Sequence, residues 1–388
     1  MTNTAAIDRL MRDATENGKI PGVVAILAGP GGTLYEGAFG RRSLAAPAAM
    51  TTDTVFAIAS MTKAITGAAA MQLVEQGKLT LDAPAADVVP DLADKQVLEG
   101  FAPDGTPRLR PARTAITLRH LMTHTAGFGY DMWNPLMARY MRESGLPAAR
   151  TGALASLGAP LTFDPGTRWQ YGINIDWIGR MVEAASGEDL ESYFQRHIFA
   201  PLGMQDSSFR VSPAMEARRV TRHQRAPDGS LSVSPVAPNP NPEFWPGGGG
   251  LFSTGPDYIR FLRALLNGGT LDGQRILRAT TVADMGRNQM GHLRMEVMPT
   301  QNPAITNNVD VFPSVPKGWG LSFLINLEPT PTGRSAGGLA WAGINNTWFW
   351  VDPTRQRCAV LMTQLLPFAD HAVLELLDGF ERTVNGLS

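Results

Sequence analysis

The sequence predicts an α/β (α+β) chain: a mainly antiparallel sheet flanked by helices, built from both chain ends, with a mostly helical domain inserted. Three observations predict it. Strand-like apolar runs fall at residues 23–28 and 33–39 and recur in the last hundred residues. Between them, residues 79–244 carry helical spacings and long polar loops. The late strand runs are near-continuously apolar, the pattern of strands covered on both faces. The expected division is residues 1–78 with 245–388 for the sheet domain and 79–244 for the insert, with the active site at their interface.

Taken in order, Ile7, Leu10, Met11 and Ala14 have helical spacing, and Gly18 ends that run. Gly29-Pro30-Gly31-Gly32 then joins the first two strand runs as a hairpin. A short run over residues 54–59 leads into Ser60, after which Ile65, Ala68, Ala69, Gln72, Leu73 and Gln76 read as helix, stopped by Gly77. Residues 118–123, 177–185 and 190–199 are expected helices, and the proline-rich residues 226–246 an irregular crossing. After Gly247-Gly248-Gly249-Gly250, Thr254-Gly255-Pro256-Asp257 is similar to a capping box with Asp in its last position. Ile259, Leu262, Ala264, Leu265 and Leu266 continue that helix to Gly268-Gly269. Residues 321–327, 347–351 and 359–365 read as strands, and Val373, Leu376, Leu377 and Phe380 line one face of a last helix.

Composition excludes several function classes. Lys plus Arg is 34 against 35 for Asp plus Glu, and the charges are scattered, so no basic stripe for nucleic acid exists. The single cysteine, Cys358, cannot form an internal disulfide and sits in an apolar run, where a buried inert thiol is expected. His120 and His124 are four apart but lack the glutamate of a metalloprotease helix, so no metal and no cofactor are expected. Met1-Thr2-Asn3-Thr4-Ala5-Ala6-Ile7-Asp8 has no basic start followed by an apolar stretch, and no segment has membrane-spanning length. The expectation is a soluble, cytoplasmic chain acting on a small molecule, with no membrane or nucleic-acid partner, either monomer or homo-oligomer.

Three segments carry chemistry. In Ser60-Met61-Thr62-Lys63, a helix starting at Ser60 brings the hydroxyl and the amine onto one face. A serine needs a base, and a desolvated lysine that loses its charge can serve. The competing reading is a helix cap followed by a surface lysine, and the chain supplies a control. Ser314-Val315-Pro316-Lys317 has the same spacing, but Gly318-Trp319-Gly320 stops any helix there, so the strand-to-helix setting favours Ser60. Second, Pro165-Gly166 presents Tyr171 ahead of a helical run, where a phenol near a lysine can relay a proton; a buried structural tyrosine is the alternative. Third, Gly338-Leu339-Ala340-Trp341-Ala342-Gly343-Ile344-Asn345-Asn346-Thr347-Trp348 offers small residues on a strand against which substrate can lie, and an amide to join that of Ser60 around an oxyanion. An ordinary hairpin is its alternative. Gly333-Arg334-Ser335-Ala336-Gly337 matches the nucleophile-elbow pattern, yet prolines precede it and Gly338 follows, so it reads as a loop. His124 reads as fixing a loop below the site.

Together, in this order, the three segments resemble the serine β-lactamase and penicillin-binding protein superfamily, and within it the family VIII carboxylesterases. Residues 118–127 and 248–254 fit the same pattern. The resemblance implies a serine β-lactamase-like fold, Ser60 as nucleophile, Lys63 and Tyr171 as the proton-transfer pair, and the amides of Ser60 and Ile344 as the oxyanion hole. Two departures matter. Tyr171-Gly172-Ile173 lacks the asparagine of Tyr-x-Asn, and Asn174, one place later, is expected to face elsewhere. Trp341-Ala342-Gly343 replaces Lys-Thr-Gly, removing the charge that would hold a substrate carboxylate. Phe128, Tyr130, Trp133, Trp245, Trp341, Ala342, Gly343 and Trp348 are candidate pocket walls, and the methionines over residues 285–298 a candidate adaptable rim. The primary expectation is a carboxylesterase cleaving small, uncharged acyl esters. Its alternatives are an acyltransferase, an amide hydrolase of β-lactamase or D-amino-acid peptidase type, and a non-catalytic binding module.

Overall fold

A computed structural model describes residues 4–237 and 239–387. Met1, Thr2 and Asn3 of the N-terminal stretch considered above lie outside the described residues, as do Pro238 in the proline-rich crossing and Ser388. The first helix is α1 (Thr4–Glu16), and the early hairpin is β1 (Gly22–Gly29) with β2 (Gly32–Gly40). A short β3 (Val55–Ala57) pairs with β4 (Phe252–Thr254) and runs into α2 (Thr62–Glu75). Late in the chain come β5 (Lys317–Trp319), β6 (Leu324–Asn326), β7 (Leu339–Gly343), β8 (Thr347–Asp352) and β9 (Arg357–Met362). The seven-stranded sheet has the order β5-β6-β7-β8-β9-β1-β2, and all its pairings are antiparallel. The chain's early hairpin and its last hundred residues therefore close one sheet, through the pairing of β1 with β9.

Burial follows from this closure. Every residue of β1, β7 and β8 is buried. Helices cover both faces, α4 (Gly255–Leu266) packing on β1, β8 and β9, and α1 lying against β2 and the C-terminal α5 (His371–Asn385). The helix carrying Lys63 is different in kind. Residues 62–73 of α2 are all buried, so it has no solvent face, and Lys63 is the one charged side chain among them.

Three local expectations shift. The strand over 321–327 shortens to Leu324–Asn326, because Ser322 takes a φ of 78° and the Gly320 amide turns back onto the Phe323 carbonyl at 2.8 Å. The run over 359–365 breaks after Met362, where the Thr363 hydroxyl turns to the Asn346 carbonyl at 3.0 Å and the Gln364 carbonyl receives the His223 amide at 2.8 Å. At the capping box, Thr254 does accept from the Asp257 amide at 3.3 Å, but the Asp257 carboxylate takes the Asp206 amide and the Ser207 hydroxyl instead of reaching back. Among the described residues no helix is long and apolar enough to cross a membrane.

Candidate active site

Ser60 lies on a single 3-10 turn, Ala59–Met61, between β3 and α2. Ala59 has a φ of 45°, in the left-handed region that costs a non-glycine residue about 1–2 kcal/mol. Surrounding bonds hold that kink. The Ile58 amide gives to the Leu251 carbonyl at 3.1 Å, and the Ile58 carbonyl takes the Met61 amide at 3.1 Å. Tyr258 gives its hydroxyl to the Met61 carbonyl at 2.8 Å.

One helical turn on, Lys63 is 1% exposed and its amine has three partners. The Ser60 hydroxyl lies 3.0 Å away, the Tyr130 hydroxyl 3.2 Å away, and the Gly248 carbonyl completes the set. The Gly248 carbonyl can only accept. A neutral amine can give one proton there and still offer its lone pair to the Ser60 O–H. Burial pushes Lys63 down to about 7, with the Asp176 carboxylate pulling the other way. Asp176, on α3 (Asn174–Ser186), accepts from the Gly248 amide at 2.9 Å, and its own carboxyl is raised by burial. Gly248 is thus wedged between the amine and the carboxyl group, and a Cβ there would stand 2.6 Å from an Asp176 carboxyl oxygen.

Tyr171 arrives from the loop ahead of α3 and is 2% exposed. Its hydroxyl accepts from the Trp341 indole at 2.8 Å, and the Ser60 hydroxyl lies near enough to pull its pKa down against burial. Burial raises its pKa, so it stays a neutral phenol suited to relaying a proton. The Lys63 amine lies 4.8 Å from the Tyr171 ring centre.

The far wall comes from β7. Gly343 presses so closely on the turn before Ser60 that a Cβ would stand 2.3 Å from the Ile58 carbonyl. Ile344 follows at once. Among the described residues, neither the Ser60 amide nor the Ile344 amide has a protein acceptor, although the groups around them are bonded. Two unpaired donors beside a serine hydroxyl are what an oxyanion site requires.

The aromatic candidates divide. Tyr130 touches Lys63 directly. Trp133 and Trp341 pack on Tyr171, with ring centres 5.6 and 4.8 Å away. The other candidates have partners of their own. Phe128 is fully buried and stacks on Trp177. Trp245 stacks on Phe209 under the Arg210 guanidinium and gives its indole N–H to Asp189. Ala342 and Trp348 are cross-strand partners on the sheet face opposite to Trp341, and Trp348 stacks on Phe368. The expected methionine rim is core: Met285, Met290, Met295 and Met298 are all buried. Asn174 faces away from Ser60 and bonds His124 at 2.9 Å. His124 is fully buried, its pKa is held well below its usual value by burial, and it packs beneath Tyr171. Ser335 sits in the turn between β6 and β7, its amide bonded to Asp352, and Lys317 turns to Asp310 rather than to Ser314.

The Beta-lactamase family profile matches residues 7–379. The chain belongs to the β-lactamase family. This β-lactamase-family chain is 34% identical over 395 residues to monacolin J acid methylbutanoyltransferase of Aspergillus terreus (strain NIH 2624 / FGSC A1156), covering 97% of this chain and 94% of that protein. It is 33% identical over 397 residues to lovastatin esterase of Penicillium rubens, covering 97% of each. The solved simvastatin synthase (LovD) of Aspergillus terreus, in its LovD6 mutant form, superimposes with a TM-score of 0.86 at 32% identity, covering 98% of this chain and 96% of that one. Together they make this β-lactamase-family chain an enzyme of the serine hydrolase and acyltransferase group.

Sequence reasoning missed two residues of the site. Asp176 lies one residue ahead of the helix expected over 177–185 and carries no signal there, and Trp319 reads only as part of a helix-stopping Gly-Trp-Gly. In the structure Trp319 packs between His124 and Trp341, at ring distances of 5.1 and 4.7 Å, and stiffens the wall behind Tyr171.

Proposed function

We propose that this enzyme is an acyltransferase: it takes a small acyl group from an ester onto Ser60 and passes it to an alcohol, with hydrolysis when water intercepts. In this cycle Lys63 removes the Ser60 proton as the hydroxyl attacks the ester carbonyl. The amides of Ser60 and Ile344 hold the oxyanion, and Tyr171 hands a proton to the departing alkoxide. The acceptor alcohol then enters by the reverse path, giving its proton to the Tyr171–Lys63 pair as it attacks the acyl carbonyl, and Ser60 leaves with a proton restored. Atoms balance without a cofactor.

The observation that carries this reading is likeness to a methylbutanoyltransferase over 97% of the chain, laid on an intact Ser60, Lys63 and Tyr171 cluster. It favours transfer over the carboxylesterase reading that the sequence put first. Two further features support it. Trp341 stands where a carboxylate-binding lysine would make a β-lactam site, and its indole is committed to Tyr171. Trp133, Trp319, Trp341 and Tyr130 wall the reacting groups with aromatic surface, which disfavours loose water.

The similarity to a lovastatin esterase keeps net hydrolysis as the second reading. The test is product analysis: a p-nitrophenyl acyl ester with and without a bulky secondary alcohol. Transfer predicts new alkyl ester well above the alcohol's share of total nucleophile. Free acid alone, at every alcohol concentration, would leave an esterase. Nitrocefin should be turned over poorly in the same series.

A further inference from the structure

The bond accounting around the nucleophile leaves one set of side chains without a role. Two residues shortly after Gly343, and a third farther along the chain, reach back to the turn before Ser60. The Asn345 amide gives to the Ala57 carbonyl at 3.1 Å, and the Thr347 hydroxyl gives to the Ile58 carbonyl at 3.3 Å. Gln364, from the end of the same sheet region, adds a longer bond to the Ala57 carbonyl at 3.4 Å. Asn345 is 7% exposed and Thr347 fully buried, so neither bond competes with bulk water. Both residues belong to the segment that carries the Ile344 amide, and both grip the segment that carries the Ser60 amide.

We infer that Asn345 and Thr347 are positioning residues that yoke the two halves of the oxyanion site, fixing the distance between the Ile344 and Ser60 amides. The inference rests on the acyl-enzyme reading above and adds to it the residues that set its geometry. The physical need is plain. The Ser60 amide comes from a helix start and the Ile344 amide from a strand end, so nothing local relates them. Ala59, at a φ of 45°, is strained between them, and such strain persists only where neighbouring bonds over-determine it. Gly343 permits contact with the Ile58 carbonyl but supplies no bond, because it has no side chain. The Thr347 hydroxyl converts that contact into a hydrogen bond on the same carbonyl. A donor displaced by a few tenths of an ångström still binds a ground-state carbonyl, but it stabilises the transition-state oxyanion less. The yoke should therefore act on turnover and not on substrate affinity.

Thr347→Val keeps the branched shape and removes the hydroxyl, while Thr347→Ser keeps the hydroxyl. Each is assayed with a p-nitrophenyl ester and with a p-nitrophenyl phosphonate, from which the Ser60 oxygen displaces p-nitrophenolate to leave a tetrahedral phosphonyl-enzyme. For Thr347→Val, both kcat and the phosphonylation rate should fall about three- to tenfold, the loss expected for one neutral hydrogen bond, with KM unchanged. Thr347→Ser should recover most of that rate. If Thr347→Val folds poorly by circular dichroism, Asn345→Leu carries the same test through the Ala57 bond. Wild-type rates in the variant that folds, or a rise in KM with kcat intact, would overturn the yoke. Failure of the wild-type Ser60 peptide to take up the phosphonyl group would instead remove the acyl-enzyme reading beneath it.

Discussion

Replacing Asp176 by Asn should extend activity toward acid. Burial favours the neutral form of Lys63 and Asp176 opposes it, leaving the amine at about 7. One glycine separates the two groups, its carbonyl taking the Lys63 proton and its amide giving to Asp176 at 2.9 Å. For unit charges on the order of 6 Å apart and an effective dielectric near 20, the attraction is roughly 3 kcal/mol. That corresponds to about two pKa units, of which local relaxation leaves at least about one. The sign follows from the active form. The base must be neutral, a carboxylate nearby stabilises the protonated form, and removing it lowers the pKa. An asparagine oxygen can still accept from the Gly248 amide, so the change removes charge while keeping the anchor. His124 is held neutral by burial and Tyr130 and Tyr171 are held protonated, so none of them titrates across this window. The assay is kcat/KM for an activated ester from pH 5 to 8. The wild-type acid limb should cross half-activity near about 7, and that of Asp176→Asn near about 6 or lower. An acid limb that stays in place, or moves to higher pH, would refute the argument that this carboxylate tunes the lysine.

Other outcomes follow from the same contacts. Ser60→Ala should abolish ester cleavage while Ser335→Ala retains most of it, because among the described residues no hydrogen bond joins the Ser335 hydroxyl to a lysine or histidine and the nearby Asp352 carboxylate is engaged by the Ser335 amide; initial rates on one ester compare them. Trp341→Phe keeps an aromatic wall but removes the 2.8 Å bond to the Tyr171 hydroxyl, so kcat should fall about three- to tenfold with little change in KM, measured by steady-state kinetics. Glu381→Gln leaves the Arg334 guanidinium, 4% exposed, without its buried counter-charge and should cost about 3–5 kcal/mol in urea unfolding while leaving the Ser60 cluster intact. Gly343→Ala sets a methyl 2.3 Å from the Ile58 carbonyl, so it should lower both Tm and turnover.

The parts of this enzyme that were legible in sequence are those that local physics encodes. The β1–β2 hairpin announces itself by apolar runs around Gly-Pro-Gly-Gly, and β7 to β9 by near-continuous apolar residues that only a doubly covered sheet accommodates. Lys63 is legible too, as a lone charge in an apolar helix three residues after a serine. What escaped depends on which way a side chain points once distant segments meet. Trp341 was expected to replace a lysine as an apolar wall. Its bond to Tyr171, 170 residues away in sequence, has no local signal. Trp245 borders the glycine run that meets Lys63, yet its ring turns to Phe209 and Arg210. Trp348 follows Thr347 on the same strand, and alternation sends the two to opposite faces. Asn345 and Thr347 read as hairpin residues until β7 is seen to press on the turn before Ser60.

The covalent intermediate is the point on which all of this turns, and rapid quenching can capture it. The enzyme is mixed with a slowly released acyl ester, stopped in acid, digested and read by mass spectrometry, then the experiment is repeated with an alcohol added before the stop. A mass increase equal to the acyl group on the Ser60 peptide, lost faster with alcohol present as the alkyl ester appears, is the predicted result. Acyl mass on any other peptide, or full turnover with Ser60 never labelled, would contradict it.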